Sequence, residues 1–206
     1  MPDYIAIGDI HGMNKALEAL LLRLPPQGEV IFLGDYIDRG PETKSVIDRL
    51  LHLRENRPCI FLRGNHEAMM LATLTGRSDA DTDWLRNGGL QTLESYQGRP
   101  SDAHIAFLRH TLPFYETEDY IFVHAGLMPG IPLAATGPDV YLWIRESFLT
   151  ASYDWGRLVV HGHTPLIGGI PDIRPNRINI DTAAVYGGTL TALLLPECET
   201  ISIPTS

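Results

Sequence analysis

Residues 30–40 read Val30-Ile31-Phe32-Leu33-Gly34-Asp35-Tyr36-Ile37-Asp38-Arg39-Gly40. Four apolar residues run together and stop at a Gly-Asp pair. A run this short and wholly apolar is read as a strand buried on both faces, as in a parallel sheet. The same order occurs upstream, where Tyr4-Ile5-Ala6-Ile7 runs into Gly8-Asp9-Ile10-His11-Gly12. It occurs again downstream, where Cys59-Ile60-Phe61-Leu62 leads to Gly64-Asn65-His66-Glu67. Between the first two runs, Leu17, Leu20, Leu21 and Leu24 recur at helical spacing. Asn14 is the expected N-cap of that helix, and Pro25-Pro26 with Gly28 its stop. Between the second and third, Pro41 opens a predicted helix carrying Val46, Ile47, Leu50, Leu51 and Leu53. Strand, polar loop, helix, strand is the pattern of an α/β fold. Its polar loops follow strand carboxyl ends, the edge at which open α/β sheets bind ligands.

Beyond residue 66 the pattern loosens. Met69 to Leu74 continues a helix, and Gly76 to Asp83 reads as a mobile polar loop. Leu90–Tyr96 and Asp102–His110 are predicted helices, the second capped by Ser101. Phe114–Thr117 and Tyr120–Val123 flank Glu118-Asp119 as a hairpin, and Val140–Phe148 reads as one helix. Runs at Leu158–Val160, Ile178–Ile180, Thr189–Leu195 and Thr200–Ile203 are late strands, expected to be antiparallel. Together these give two β-sheets packed face to face with helices outside, an αββα sandwich.

The chain has 206 residues, 44% hydrophobic and 20% charged. At roughly 150 residues per domain, that predicts a single catalytic domain over 1–206. The net charge of −9 repels a phosphate backbone, which excludes a nucleic-acid duplex as the natural partner. No segment reaches the ~20 apolar residues of a membrane span. The start, Met1-Pro2-Asp3-Tyr4, lacks the basic and apolar stretches of a secretion signal, so a cytoplasmic location is expected. The two cysteines, Cys59 and Cys198, have no CxxC spacing and are read as buried free thiols.

The chemistry gathers in five clusters at or near strand ends. They are Gly8 to Gly12, Gly34 to Gly40, Gly64 to Glu67, His124-Ala125-Gly126 and His161-Gly162-His163-Thr164. One Asp at a strand end is an ordinary cap or turn former. Five clusters of Asp, His and Asn, each flanked by Gly, call for a shared purpose. Carboxylate, imidazole and amide donors without thiolate suit Mn²⁺, Fe or Zn²⁺. A pair of such ions needs a ligand common to both, and an Asp ending a central strand can present its two oxygens to different ions.

GDIHG, GDYIDRG, GNHE, HAG and GHTP, in this order, resemble the motifs of calcineurin-like metallophosphoesterases of the phosphoprotein phosphatase type. The small bacterial and phage serine/threonine protein phosphatase branch is the nearest likeness, over about residues 4–195 of the chain. The resemblance implies that Asp9 and His11 bind a first metal, that Asp35 bridges, and that Asn65, His124 and His163 complete a second. It implies that His66 is the general acid, oriented by Asp38, and that Arg39 and Arg145 clamp phosphate. Arg145 lies in Leu142-Trp143-Ile144-Arg145-Glu146, which is similar to the branch's WxRE stretch. A guanidinium fork matches two phosphate oxygens. The implied activity is phosphomonoester hydrolysis by a water held between two divalent ions, most readily Mn²⁺. The substrates are phosphoserine or phosphothreonine proteins or peptides, with phosphotyrosine and small phosphoesters in reach. The alternative is a symmetrical diadenosine tetraphosphatase cutting a dinucleoside polyphosphate. A third reading, an inactive protein-binding scaffold, conflicts with the full ligand set. Pro165 stands where nuclease-type relatives carry a second His of a Gly-His-x-His motif.

Other residues receive more modest readings. His161 is placed on the strand face of His163, as a support or a structural residue. Glu67 is read as a structural hydrogen-bond or helix-dipole partner. Arg63 ties the strand end to a carboxylate, and Asn87-Gly88-Gly89 after Trp84 resembles a groove-lining stretch of the branch. Asp181 sits at the site edge without a ligand role, and Trp143 and Trp155 are read as core. His52, His104 and His110 are read as plain surface or core residues.

Overall fold

The computed structural model describes residues 1–76 and 82–205. Strands β1 (Tyr4–Ile7), β2 (Glu29–Phe32) and β3 (Cys59–Phe61) alternate with helices α1 (Asn14–Leu21) and α2 (Thr43–Asn56), and α3 (Asn65–Thr73) follows β3. A π-helical turn at Leu85–Gly89 leads into α4 (Leu90–Tyr96), and α5 (Asp102–Arg109) follows. Strands β4 (Phe114–Glu116) and β5 (Tyr120–Val123) come next, then short helices α6 (Pro138–Trp143) and α7 (Glu146–Leu149). The chain ends with β6 (Leu158–His161), β7 (Asp172–Ile173), β8 (Arg177–Asn179), β9 (Thr189–Leu195) and β10 (Glu199–Pro204).

The strands form two five-stranded sheets, in the orders β10-β9-β1-β2-β3 and β4-β5-β6-β8-β7. β1, β2 and β3 are parallel, as the repeated motif requires. β5, β6 and β8 are also parallel, with β4 and β7 antiparallel at the edges. The late strands therefore do not make an antiparallel sheet of their own. β6 and β8 extend a second parallel core, while β9 and β10 return to the first sheet.

Strand alternation sorts the apolar runs into layers. Ala6, Ile31, Phe122, Val160, Ile178 and Leu193 form the core between the sheets. Their neighbours Ile5, Ile7, Val30 and Phe32 turn outward to meet Leu17, Leu20, Val46, Ile47 and Leu50 of α1 and α2. On the far side, Ile121, Val123 and Val159 pack against Phe148 of α7. Fully burying each such side chain is worth about 1.5–3 kcal/mol. With both faces covered, the parallel strands can be apolar throughout, and their carboxyl ends are left to carry the polar residues.

Local readings divide. Ser101 caps α5 by accepting the His104 N–H at 3.3 Å, and the β4–β5 hairpin forms in register. Asn14 does not cap α1; its amide oxygen instead accepts the Arg49 Nε–H at 2.9 Å. Pro41 lies just ahead of α2 rather than inside it. The single helix expected over Val140–Phe148 is broken at Ile144 and Arg145, where the backbone leaves helical angles. Most of the loop expected over Gly76–Asp83, residues 77–81, lies outside the described residues, while 82–84 are helical. Cys59 and Cys198 are free thiols but only half-buried.

Candidate metal centre

Six parallel strands, three from each sheet, deliver the site. Asp9 follows β1, Asp35 follows β2, Asn65 opens α3 after β3, His124 follows β5, His163 follows β6 and Asp181 follows β8. The backbone at these ends is unusual. Among the described residues, eight non-glycine residues have positive φ, and five of them are His11, Asp35, Asp38, Arg39 and His163. Left-handed backbone at non-glycine residues is costly and gathers where function requires it. Gly64 is required by proximity: a Cβ there would collide with Asp35 Oδ1 and the Asp35 amide.

Two groups of buried ligand atoms converge, His11 with Asp35 and His66, and Asp35 with His124 and His163, each within 4.8 Å. Asp35 alone belongs to both. One oxygen does the sharing: Oδ2 lies 3.4 Å from His11 Nε2, 3.5 Å from His124 Nε2 and 3.9 Å from His66 Nε2. Oδ1 is occupied by the His66 backbone N–H at 3.1 Å. The two carboxylate oxygens are therefore not divided between two sides, as expected from the sequence.

The donor chemistry fits cations. His11 Nδ1 donates to Ile37 O at 2.8 Å and His124 Nδ1 to Leu33 O at 3.0 Å. Each Nε2 therefore carries a lone pair: that of His124 faces the Asp35 carboxylate, and that of His11 is met by the Arg39 guanidinium. Burial drives the His11 pKa down to about 3 and also lowers that of His124, so both rings stay neutral, the form that binds metal. Acceptors facing acceptors are relieved by a cation between them. Asn65 Oδ1 joins the second group, 2.9 Å from His124 Nε2 and 3.0 Å from His163 Nδ1. Burial likewise holds His163 near pKa 2. Asp9 lies beside the groups, its carboxylate accepting the His163 N–H at 3.1 Å. Burial, then the charges of Asp181 and Asp35, raise its pKa well above the usual range. Three crowded carboxylates of this kind are what a divalent cation neutralises.

The surrounding groups orient these atoms. His66 Nδ1 lies 2.7 Å from Asp38 Oδ2, leaving Nε2 buried without a partner. Burial opposes the imidazolium, but Asp35 and the Asp38 hydrogen bond outweigh it and raise the His66 pKa. Asp38 is held by the Trp84 indole N–H, 3.0 Å from both carboxylate oxygens, and by the Thr92 hydroxyl at 2.7 Å. Glu67 accepts the backbone N–H groups of Asp35, Tyr36 and Gly64 at 2.9 Å each. It thus ties the start of α3 to the bridging loop, a structural hydrogen-bonding role. Arg39 Nη1 donates to His11 Nε2 at 2.7 Å, and its backbone N–H donates to Gly88 O at 3.1 Å. Gly88 has φ +106°, and a Cβ there would stand 2.7 Å from the Arg39 amide nitrogen.

Some sequence readings move. Among the described residues Arg63 meets no carboxylate: it donates to the carbonyls of Arg109 and Thr111 at the end of α5, at 2.8 and 3.2 Å. Trp143 is not core; it is 43% exposed and meets His163 edge-on at 6.1 Å. Trp155 is half-buried and packs on Phe148. His161 is fully buried against Phe148, and the left-handed turn at His163 takes that residue out of the strand. His104 is a satisfied buried residue between Tyr96 and Asp48. Trp84, Thr92 and Tyr186 carry no catalytic signature in the sequence. Arg39 lies across the Tyr186 ring at 5.6 Å, beside a groove of about 460 Å³ that Arg86 and Gln91 also line.

Two mixed sheets whose parallel strands deliver His, Asp and Asn side chains around one shared carboxylate are the frame of a metal-dependent phosphoesterase. The chain belongs to the calcineurin-like phosphoesterase family, whose model matches residues 3–190. It is 28% identical to a protein from Anoxybacillus flavithermus named asymmetrical bis(5'-nucleosyl)-tetraphosphatase PrpE, over 98% of this chain and 94% of that one. The crystal structure of a candidate diadenosine tetraphosphatase superposes with TM-score 0.75 at 24% identity, covering 100% of this chain and 96% of the other. A serine/threonine phosphatase from Saccharomyces cerevisiae shares the fold at TM-score 0.62 and 18% identity, over 95% and 74% of the two chains. Among the described residues no helix is long and apolar enough to cross a membrane.

Proposed function

We propose that this chain hydrolyses dinucleoside tetraphosphates, cutting next to one end to release a nucleoside monophosphate and a nucleoside triphosphate. The observation that carries this reading is the nearly end-to-end likeness to a named tetraphosphatase. It favours the dinucleotide over the phosphoprotein substrate expected from the motifs, and an unsymmetrical cut over a symmetrical one. The likeness to protein phosphatases rests on fold alone.

In this reading His11, Asp35 and Asp9 hold one divalent ion, and Asp35, Asn65, His124 and His163 hold the other, with Mn²⁺ the first choice. Two divalent ions bound there would supply an activated water and would draw charge from the phosphoryl group. Arg39 and Arg145 grip the phosphate under attack. His66, charged and oriented by Asp38, presents Nε2–H to the departing oxygen. Glu67 fixes the loop that carries Asp35. The two free thiols accord with a reducing cytoplasm.

The test is product analysis with Mn²⁺-loaded protein on diadenosine tetraphosphate and on a phosphoserine peptide. AMP and ATP in equal amounts, formed faster than phosphate from the peptide, are expected. Two equivalents of ADP would overturn the unsymmetrical cut. Faster turnover of the peptide would overturn the substrate class.

A further inference from the structure

Two exposed aromatic rings stand at the centre, one beside each ligand group. Tyr186 is 54% exposed and carries Arg39 across its ring at 5.6 Å, and Arg39 bonds His11 of the first group. Trp143 is 43% exposed, and its edge meets His163 of the second group. It ends α6, just before the break that turns the backbone at Arg145. Arg145 lies close enough to that group for its charge to act on His124 and His163. Each side of the centre therefore holds the same combination, a solvent-facing ring and an arginine.

The backbone that carries Tyr186 is held in place. Tyr186 sits on a short turn whose N–H closes on Ala183 O at 2.9 Å, while Ala183 is left-handed and its own N–H is held by Asp181 at 3.1 Å. The Thr205 hydroxyl fastens the same turn through Ala184 O at 2.6 Å. An exposed ring on a fixed backbone loses little entropy when a flat base stacks on it.

We propose that Tyr186 and Trp143 are base-stacking platforms, one for each nucleoside of a two-base ligand whose phosphate chain crosses the metal centre. The inference rests on the substrate class proposed above and deepens it. A dinucleoside polyphosphate has a π-surface at each end and anionic charge between, so it can meet an exposed ring on each side of the ligand groups and the arginines with its phosphates. Arg86 and Gln91, which line the groove beside Tyr186, supply further donors along the chain.

The experiment is calorimetric binding to the Mn²⁺-loaded protein. The probes are non-cleavable methylene-bridged analogues of diadenosine tetraphosphate and of adenosine triphosphate, with methylenediphosphonate as a base-free control. The proteins are wild type, Tyr186→Leu, Tyr186→Phe, Trp143→Leu and the double Leu variant. Wild type should bind the two-base analogue tighter than the one-base analogue. Each Leu change should weaken the two-base analogue about tenfold or more, the double variant further still, and Tyr186→Phe should keep the affinity. Methylenediphosphonate should bind all five alike. Two-base affinity unchanged in both Leu variants would overturn the proposal. So would equal losses on the base-free control, which would indicate a general disturbance of the centre. Failure of the hydrolytic reading is seen separately, as wild type that binds the two-base analogue but releases no AMP and ATP from diadenosine tetraphosphate.

Discussion

His66 Nδ1 and Asp38 Oδ2 are 2.7 Å apart, both fully buried, and the other imidazole nitrogen has no hydrogen-bond partner among the described residues. This geometry fixes the ring and aims one nitrogen into the centre. That nitrogen also falls within the first group of ligand atoms, so two roles compete for it: proton donor and metal ligand. The Asp38 contact favours the donor, because a carboxylate at Nδ1 stabilises the imidazolium, and an imidazolium cannot ligate. His66→Asn should therefore keep two bound ions per chain and lower turnover by about 10²–10⁴. Metal analysis beside steady-state kinetics decides it. Loss of one ion in this variant would make His66 a ligand.

The pH profile follows from the same pair. His66 has a folded pKa above its ordinary value of 6.5, so the charged form persists further toward alkaline pH. Activity that needs this proton is full below the raised pKa and falls as pH rises through it. The associated stability has the same sign, present below the unfolded value and lost as pH rises through the folded one. Asp38→Asn removes the hydrogen-bonded carboxylate and should move the alkaline limb of kcat to lower pH. An unmoved limb would assign it to another group.

Asp35 is the one residue common to both ligand groups, through a single oxygen. Asp35→Asn keeps the size but removes the carboxylate charge common to both ligand groups, the charge that would draw cations to them. Metal content after Mn²⁺ loading should fall from two ions to fewer than one, and turnover should be nearly abolished. Excess chelator on the unmodified protein should have the same effect, reversed by Mn²⁺. Two ions retained by the Asn variant would show that Asp35 does not bridge.

The sequence made the strand ends legible because each one joins a fully apolar run to a Gly-flanked polar cluster. The residues that hold the cluster were less visible. Trp84 and Thr92 reach Asp38 across 46 and 54 positions. No local spacing encodes such a contact, and the π-helical turn at Leu85–Gly89 that arranges it has no periodic signature. The left-handed backbone at His11, Asp35, Asp38, Arg39 and His163 was equally hidden, since even Asp and His, which tolerate it better than most residues, adopt it at only a small minority of positions. Trp143 was read as core because an aromatic in an amphipathic stretch usually packs inward. The helix break after it turns the ring to the site instead. Asp181 belongs to the second parallel core, which could not be recognised while the late strands were read as antiparallel.

Trp84 gives the last prediction, since it acts on the chemistry only through Asp38. Its indole N–H lies 3.0 Å from each oxygen of that carboxylate, and its ring leaves room for no Cβ at Gly89, where one would stand 2.7 Å away. Trp84→Phe keeps most of the ring and removes the donor, leaving Asp38 with Thr92 and His66. A hydrogen bond to a charged group contributes about 1.5–3 kcal/mol, so the folded state should weaken by an amount of that order. A partner one step behind the reacting groups typically changes activity by about 10–100-fold. The expected result is a lower kcat, an unchanged KM, two bound ions and a displaced alkaline limb. A lower thermal midpoint with an unmoved pH limb would mean that Trp84 supports the fold alone and does not position His66 through Asp38.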